Sequence, residues 1–93
     1  MIVNYYATLR QAVGGSRKVD IVLLPGGTLR QLVEEMVKCY PGLKMEMLDQ
    51  RGNLYGHIHI FVNGRDSTFL DSSLDTILDS EDIISIFPPV GGG

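Results

Sequence analysis

One segment of this chain has a helical period, and nearly everything else alternates. That contrast limits the fold more than any other feature. Across residues 28–39, and on to Tyr40, the apolar residues Leu29, Leu32, Val33, Met36, Val37 and Tyr40 recur at three- and four-residue spacing and form one stripe. Thr28 suits a helix N-cap, and Gln31 three positions later completes a capping-box pattern. Pro41-Gly42 stops the helix. A helix with a single apolar stripe must bury it against another layer.

The alternating segments supply that layer. Residues 2–7 read as a first strand, with Val3, Tyr5 and Ala7 on one face and Asn4 and Tyr6 on the other. Residues 9–13 are a short transition. Residues 17–23 alternate again, with Val19, Ile21 and Leu23 sharing a face. Gly14-Gly15-Ser16 between the two strands predicts an antiparallel hairpin. Pro25-Gly26-Gly27 stops the second strand. Residues 43–48 are apolar without a clear period, and residues 49–53 are a turn. Residues 54–62 read as a third strand, with Ile58, Ile60 and Val62 on one face and His57, His59 and Phe61 on the other. Asn63-Gly64 is a strong hairpin signal, with residues 65–70 returning as a short strand. Residues 71–82 are polar, with Leu74, Ile77 and Leu78 tucking in. Residues 83–87 form the last strand, ended by Pro88-Pro89. The economical arrangement is α+β: a mixed sheet of four to five strands packed on one main helix. The 93 residues suit one domain. It is expected to span residues 1–89, with 90–93 as a flexible glycine tail.

Charge and composition exclude several functions. The net charge is −3 and the eight Lys and Arg are scattered. Phosphate backbones select clustered positive charge, so no nucleic-acid partner is expected. The single cysteine, Cys39, leaves no internal disulfide and no cysteine-based zinc site. No apolar run reaches the roughly 20 residues of a membrane span, so no membrane partner is expected. The N-terminus lacks the basic stretch of a signal peptide, and the expected location is cytoplasmic.

The chemistry is concentrated at the C-terminus. With background glycine at about 7%, three terminal glycines have odds of roughly one in 3000 by chance. Pro88 and Pro89 have no N–H to donate to a sheet, so the sheet must release the chain there. Paired prolines favour a stiff, extended stretch that projects Val90, Gly91, Gly92 and Gly93 outward, to a reach of roughly 13 Å. A tail without side chains can thread a narrow channel in a partner. Its terminal carboxylate is ionised at neutral pH and is a poor acyl electrophile, so an external enzyme must activate it. The chain has no nucleotide-binding loop of its own for that step.

The ending Ile86-Phe87-Pro88-Pro89-Val90-Gly91-Gly92-Gly93 resembles that of the MoaD/ThiS family of ubiquitin-like (β-grasp) sulfur carriers. Within it, the chain is most similar to the small, sulfur-carrying subunit of molybdopterin synthase. Leu9-Arg10, Thr28-Leu29-Arg30-Gln31-Leu32 and Val62-Asn63-Gly64 extend the resemblance along the chain. The resemblance implies a β-grasp fold and a carrier with no catalytic site of its own. A ubiquitin-activating-type (MoeB-like) enzyme would use ATP to adenylate Gly93, and a sulfur donor would convert it to a thiocarboxylate. The tail would then enter the large (MoaE-like) subunit of molybdopterin synthase and give its sulfur to the pterin precursor. In that scheme Gly93 carries the sulfur, Gly92 provides clearance, and the carrier itself binds no cofactor. Sulfur delivery for thiamine or tRNA thiolation, and conjugation to proteins through Gly93, are the alternatives. A binding module with an incidental tail is a further class.

Several other groups invite a role. Tyr6, His57, His59, Phe61, Ser85 and Phe87 should share the sheet face away from the helix. Apolar side chains grouped there predict a docking surface, with Phe87 as anchor, unless the long loop after Val62 covers it. Phe87, Pro88, Pro89, Val90, Gly91, Phe61, His59 and Tyr6 are therefore the expected partner-binding residues. His57 and His59 would sit about 6.6–6.8 Å apart on one strand face. Without further ligands, no metal site is expected there. Gly26-Gly27-Thr28 lacks the Lys of a phosphate-binding loop and reads as a turn plus helix cap. Cys39 reads as structural. Glu34-Glu35 and Asp79-Ser80-Glu81-Asp82 read as solvated charge, with a basic patch on an activating enzyme as the alternative partner of the second cluster.

Overall fold

The computed structural model describes residues 1–6, 9–15 and 17–88. Its centre is a five-stranded mixed sheet. The strands are β1 (Ile2–Tyr5), β2 (Lys18–Asp20), β3 (His59–Val62), β4 (Arg65–Asp66) and β5 (Ile83–Phe87). Their order across the sheet is β2-β1-β5-β3-β4. β1 and β5 run parallel at the centre, and the other neighbours are antiparallel. Helices α1 (Leu9–Ala12), α2 (Leu29–Cys39) and α3 (Leu43–Met47), with two short 3-10 turns, are the other regular elements among the described residues.

α2 forms where the capping signals place it. The Thr28 hydroxyl accepts from Gln31 N at 3.2 Å, and the Gln31 side chain accepts from Thr28 N at 2.9 Å. Its stripe of Leu29, Leu32, Val33 and Met36 is buried. Val3 and Tyr5 of β1, Ile60 and Val62 of β3, and Ile84 and Ile86 of β5 meet it from the sheet. At the third-strand hairpin, Asn63 (φ 52°) and Gly64 (φ 83°) both adopt left-handed backbone, as a type I′ turn requires. Asn63 also ties this hairpin to β5. Its N–H donates to Ile83 O, and its side-chain oxygen accepts from Ile83 N, each at 2.8 Å.

Other elements differ from expectation for local reasons. β2 covers Lys18–Asp20 rather than residues 17–23, because its ladder with β1 runs only from Asn4 opposite Lys18 to Ile2 opposite Asp20. The Met1 ammonium closes that end, donating to Asp20 Oδ1 at 2.8 Å and Ile21 O at 3.1 Å. β1 spans Ile2–Tyr5, and Ala7 lies outside the described residues. The transition at residues 9–13 is the one-turn helix α1, with Leu9 and Val13 buried. Residues 43–48, without a clear period, contain α3, which buries Leu43 and Met47. One helical turn is too short to show a period, and these two apolar anchors hold it against α1 and α2. The third strand starts at His59, not residue 54. Leu54 makes only a single bridge to Leu48, and Ile58 N closes a turn onto Tyr55 O at 3.1 Å. β4 is two residues long because Asp66 caps the following 3-10 turn, Ser67–Phe69, through Thr68 N at 3.0 Å. Leu78 is buried and Leu74 half-buried, but Ile77 faces solvent.

Tyr5 is buried, and its hydroxyl finds no hydrogen-bond partner among the described residues. Burial first, then neighbouring Tyr40 and Cys39, pushes the phenol well above its ordinary 10.0. Removing the unpaired hydroxyl in Tyr5→Phe should leave stability unchanged or raise it by about 1 kcal/mol. The variant should also flatten an alkaline loss of stability. Above pH 10.0 the unfolded chain releases a phenol proton that the folded chain keeps, so stability falls as pH rises. Urea unfolding of both proteins at neutral and alkaline pH measures both effects.

Candidate functional site

All three helices pack on one face of the sheet, and strand register alone defines the other. Tyr6 N donates to Ile86 O at 3.3 Å, which extends the β1–β5 pairing by one residue and sets Tyr6 beside Phe87. His59 pairs with Phe87 from the other side, and Phe61 with Ser85. The row nearest the tail is therefore Tyr6, Phe87 and His59. The next row runs Lys18, Asn4, Ser85, Phe61 and Asp66, and the last holds Asp20, Ile2 and Ile83.

Phe87 is the hub of this face. Its ring stacks on Tyr6 with centroids 4.2 Å apart and planes 13° from parallel. Phe61, on the diagonal across β3, meets it edge-on at 5.2 Å and 82°. Ile83 is exposed and Phe61 and Phe87 are half-buried. The segment after Val62 does not cover them. It returns on the helix side, where Asp75 Oδ1 meets Arg30 Nε at 3.1 Å and Ile77 bridges Thr28. An apolar centre between charged edges is the anatomy of a partner interface. Lys18 and Asp20 form one edge, and His59 and Asp66 the other.

His59 Nδ1 lies 3.4 Å from Asp66 Oδ2. The Asp66 carboxyl is held below its ordinary value, mainly by the Thr68 backbone N–H, then by the Thr68 hydroxyl and His59. Asp66 thus stays ionised and orients His59 at the rim. His57 does not join it. It sits in the turn before β3, exposed, with its ring stacked on Tyr55 at 5.0 Å, so the two imidazoles do not share a strand face. Among the described residues, no group of three or more His, Cys, Asp and Glu is placed to hold a metal ion. Cys39 is exposed rather than packed. Gly27 is buried above Leu23 beside the α2 cap.

Of the expected site residues, Tyr6, His59, Phe61 and Phe87 are brought together. Pro88 is buried directly after β5. Pro89, Val90, Gly91, Gly92 and Gly93 lie outside the described residues. Sequence reading missed Ile2 and Ile83, which extend the apolar centre away from the tail. The same alternation that places Ile84 inside places Ile83 outside, and that was the available signal.

The sequence profile of the ThiS family matches residues 3–93. The chain belongs to the ThiS family. Small archaeal modifier protein 3 of Haloferax volcanii is 36% identical, over 97% of this chain and 95% of its own. The crystal structure of SAMP1 from Haloferax volcanii matches with a TM-score of 0.88 at 28% identity, covering 100% of this chain and 98% of that one. A Pyrococcus furiosus chain assigned as molybdopterin converting factor, subunit 1, matches with a TM-score of 0.74 at 32% identity, over 96% and 95% of the two chains. The fold is thus the ubiquitin-like β-grasp. This ThiS-family chain is a small ubiquitin-like protein of the carrier and modifier class. Among its described residues, no helix is long and apolar enough to cross a membrane.

Proposed function

We propose that the C-terminal carboxylate of Gly93 is the working group, activated by a partner and loaded with sulfur. A ubiquitin-activating-type, MoeB-like enzyme joins the carboxylate to the adenylyl group of ATP and releases pyrophosphate. A sulfur donor then displaces AMP and leaves a thiocarboxylate. The sulfur passes to the pterin precursor inside molybdopterin synthase, whose MoaE-like large subunit receives the tail. Gly92 gives clearance in the channel, and Pro89, Val90 and Gly91 are contacted by the partner.

The observation that carries this reading is the open aromatic surface centred on Phe87, one residue before Pro88. A partner gripping it would hold the root of the tail at a fixed distance from its own reactive centre. The resemblance to molybdopterin converting factor, subunit 1, supports the pterin branch. The Haloferax modifier protein, at 36% identity, supports a second reading. There the same activated Gly93 is transferred to lysines of other proteins. Both share the first step and differ in the acceptor.

Affinity capture from the native cell separates them. The pterin branch predicts a complex with a molybdopterin synthase large subunit, and the modifier branch predicts higher-mass conjugates in which Gly93 is joined to a lysine through an isopeptide bond. Recovery of neither, from cells that express the chain, contradicts both. Phe87→Ala should weaken binding to the adenylating enzyme about 10- to 100-fold, as expected for an aromatic anchor contributing about 1.5–3 kcal/mol. Binding by calorimetry, beside urea unfolding to check the domain, reads this directly. Unchanged affinity removes Phe87 from the interface.

A further inference from the structure

The pole of the domain away from the tail carries a second apolar surface, which tail chemistry leaves unused. Because β1 and β5 are parallel, Met1 and Ile83 mark one end of the sheet, and Tyr6, Phe87 and Pro88 the other. At the Met1 end, residues 22–27 connect β2 to α2, and residues 76–79 pass on the way to β5. Leu24, Pro25, Gly26 and Gly27 form a tight turn closed by Gly27 N on Leu24 O at 3.0 Å. Gly26 has φ 81°, as the third position of a type II turn demands. Leu78 N donates to Gly27 O and Leu29 N to Thr76 O, each at 2.9 Å, pinning the turn to the returning segment. Leu23 packs beneath it so closely that a Cβ on Gly27 would meet Leu23 Cγ at 2.6 Å.

On this tied-down backbone, Val22, Leu24 and Ile77 are 81%, 79% and 69% exposed. Leu24 on this hydrogen-bonded turn and Ile77 on the segment pinned to it, with Val22 just before them, suit binding, because little ordering of that backbone remains to be done when a partner arrives. A concavity of about 450 Å³ lies on one side of the Leu24 ridge, with Ile77, Leu78 and Asp79 in its wall. Another of about 520 Å³ lies on the other side, with Val22, Glu34 and Glu35 in its wall. The charged side chains lining both are carboxylates, of which Glu35 also lies 4.0 Å from Lys38 Nζ while Glu34 and Asp79 have no cation within ion-pair distance among the described residues. The Met1 ammonium nearby is engaged by Asp20 at 2.8 Å. A second copy of this chain would set these carboxylates against their own kind. A partner with Lys or Arg around an aliphatic anchor complements them.

We propose that the Val22–Leu24–Ile77 surface docks a basic amphipathic segment of a partner protein. Its Leu or Ile side chains enter beside the Leu24 ridge, and its cations face Asp79 and Glu34-Glu35. Lying at the opposite pole, this surface stays accessible while the tail is engaged, and it does not depend on what Gly93 carries.

The test uses the full chain, labelled with nitrogen-15, and two synthetic amphipathic helices, one of Leu and Lys and one of Leu and Glu. The Leu/Lys helix should shift amides at residues 22–27, 34–35 and 77–79 saturably, and the Leu/Glu helix should not. The exposed-site variant Leu24→Ser/Ile77→Ser should weaken that binding about tenfold or more while remaining folded. Phe87→Ala should leave it unchanged. Shifts centred on Phe61 and Phe87, or spread over all acidic residues, overturn the proposal. So does an unchanged affinity in the serine variant, or equal binding of the Leu/Glu helix. Shifts at this surface that grow with protein concentration alone would assign it to self-association instead.

Discussion

Removal of Gly92 and Gly93 is expected to abolish carrier activity while leaving the domain as stable as before. Stability should hold because the buried core lies within the sheet and helices, and the last strand ends at Phe87. Activity should fail because of reach. Two residues of extended chain span about 7 Å. The shortened tail still ends in a glycine carboxylate, but that carboxylate falls short of the reactive centre. Misplacement of even 1 Å can cost about a hundredfold in rate, so turnover should drop by at least that factor. Sulfur transfer reconstituted with the cognate activating enzyme, beside urea unfolding of the same protein, reads both quantities. A chain that merely binds partners through its folded surface would keep its function. A truncated protein with full activity would therefore move the chemistry off the tail.

The largest stability effect should come from Ile84→Ala. Ile84 is fully buried in central strand β5, where Val3 flanks it on β1 and Val62 on β3. Deleting a core isoleucine to alanine costs about 2–5 kcal/mol in lost burial and residual cavity. A domain of this size has roughly 5–10 kcal/mol of net stability, so the variant should sit near the edge of unfolding. The neighbouring Ile83→Ala should cost well under half as much, because Ile83 is 49% exposed on the open face. Urea unfolding of the pair tests the assignment of the two faces. Equal losses would mean that both faces are packed.

Legibility in the sequence followed the length of each signal. The α2 helix was readable in detail because eleven residues carry its period and Thr28 and Gln31 mark its start. β5 was readable because alternation runs unbroken from Ile83 to Phe87 and Pro88 ends it. The aromatic face followed from the same alternation, and Phe61, Phe87 and Tyr6 meet as it predicts. His57 fell off that face because a turn at Tyr55 to Ile58 delays the strand, and turns of this kind carry no periodic signature. β2 and β4 came out shorter than read, since strand length depends on how far the neighbour extends. Exposure of Ile77 was unreadable for a related reason. Its position is set by backbone bonds from residues 76 and 78 to the turn at Gly27 and the start of α2, a tertiary contact invisible in local pattern. The tail was the reverse case. Its composition announced a chemistry, and the folded domain supplies the surface that would aim it.

Whether Gly93 carries sulfur is read from the mass of the chain. Intact-mass analysis should be made of the chain taken from its own cell and of the chain incubated with its activating enzyme, ATP and a sulfur donor. The expected result is a mass gain of one oxygen-to-sulfur exchange, located at Gly93 by fragmentation. An unmodified carboxylate under both conditions, with the activating enzyme shown to be active, would contradict it.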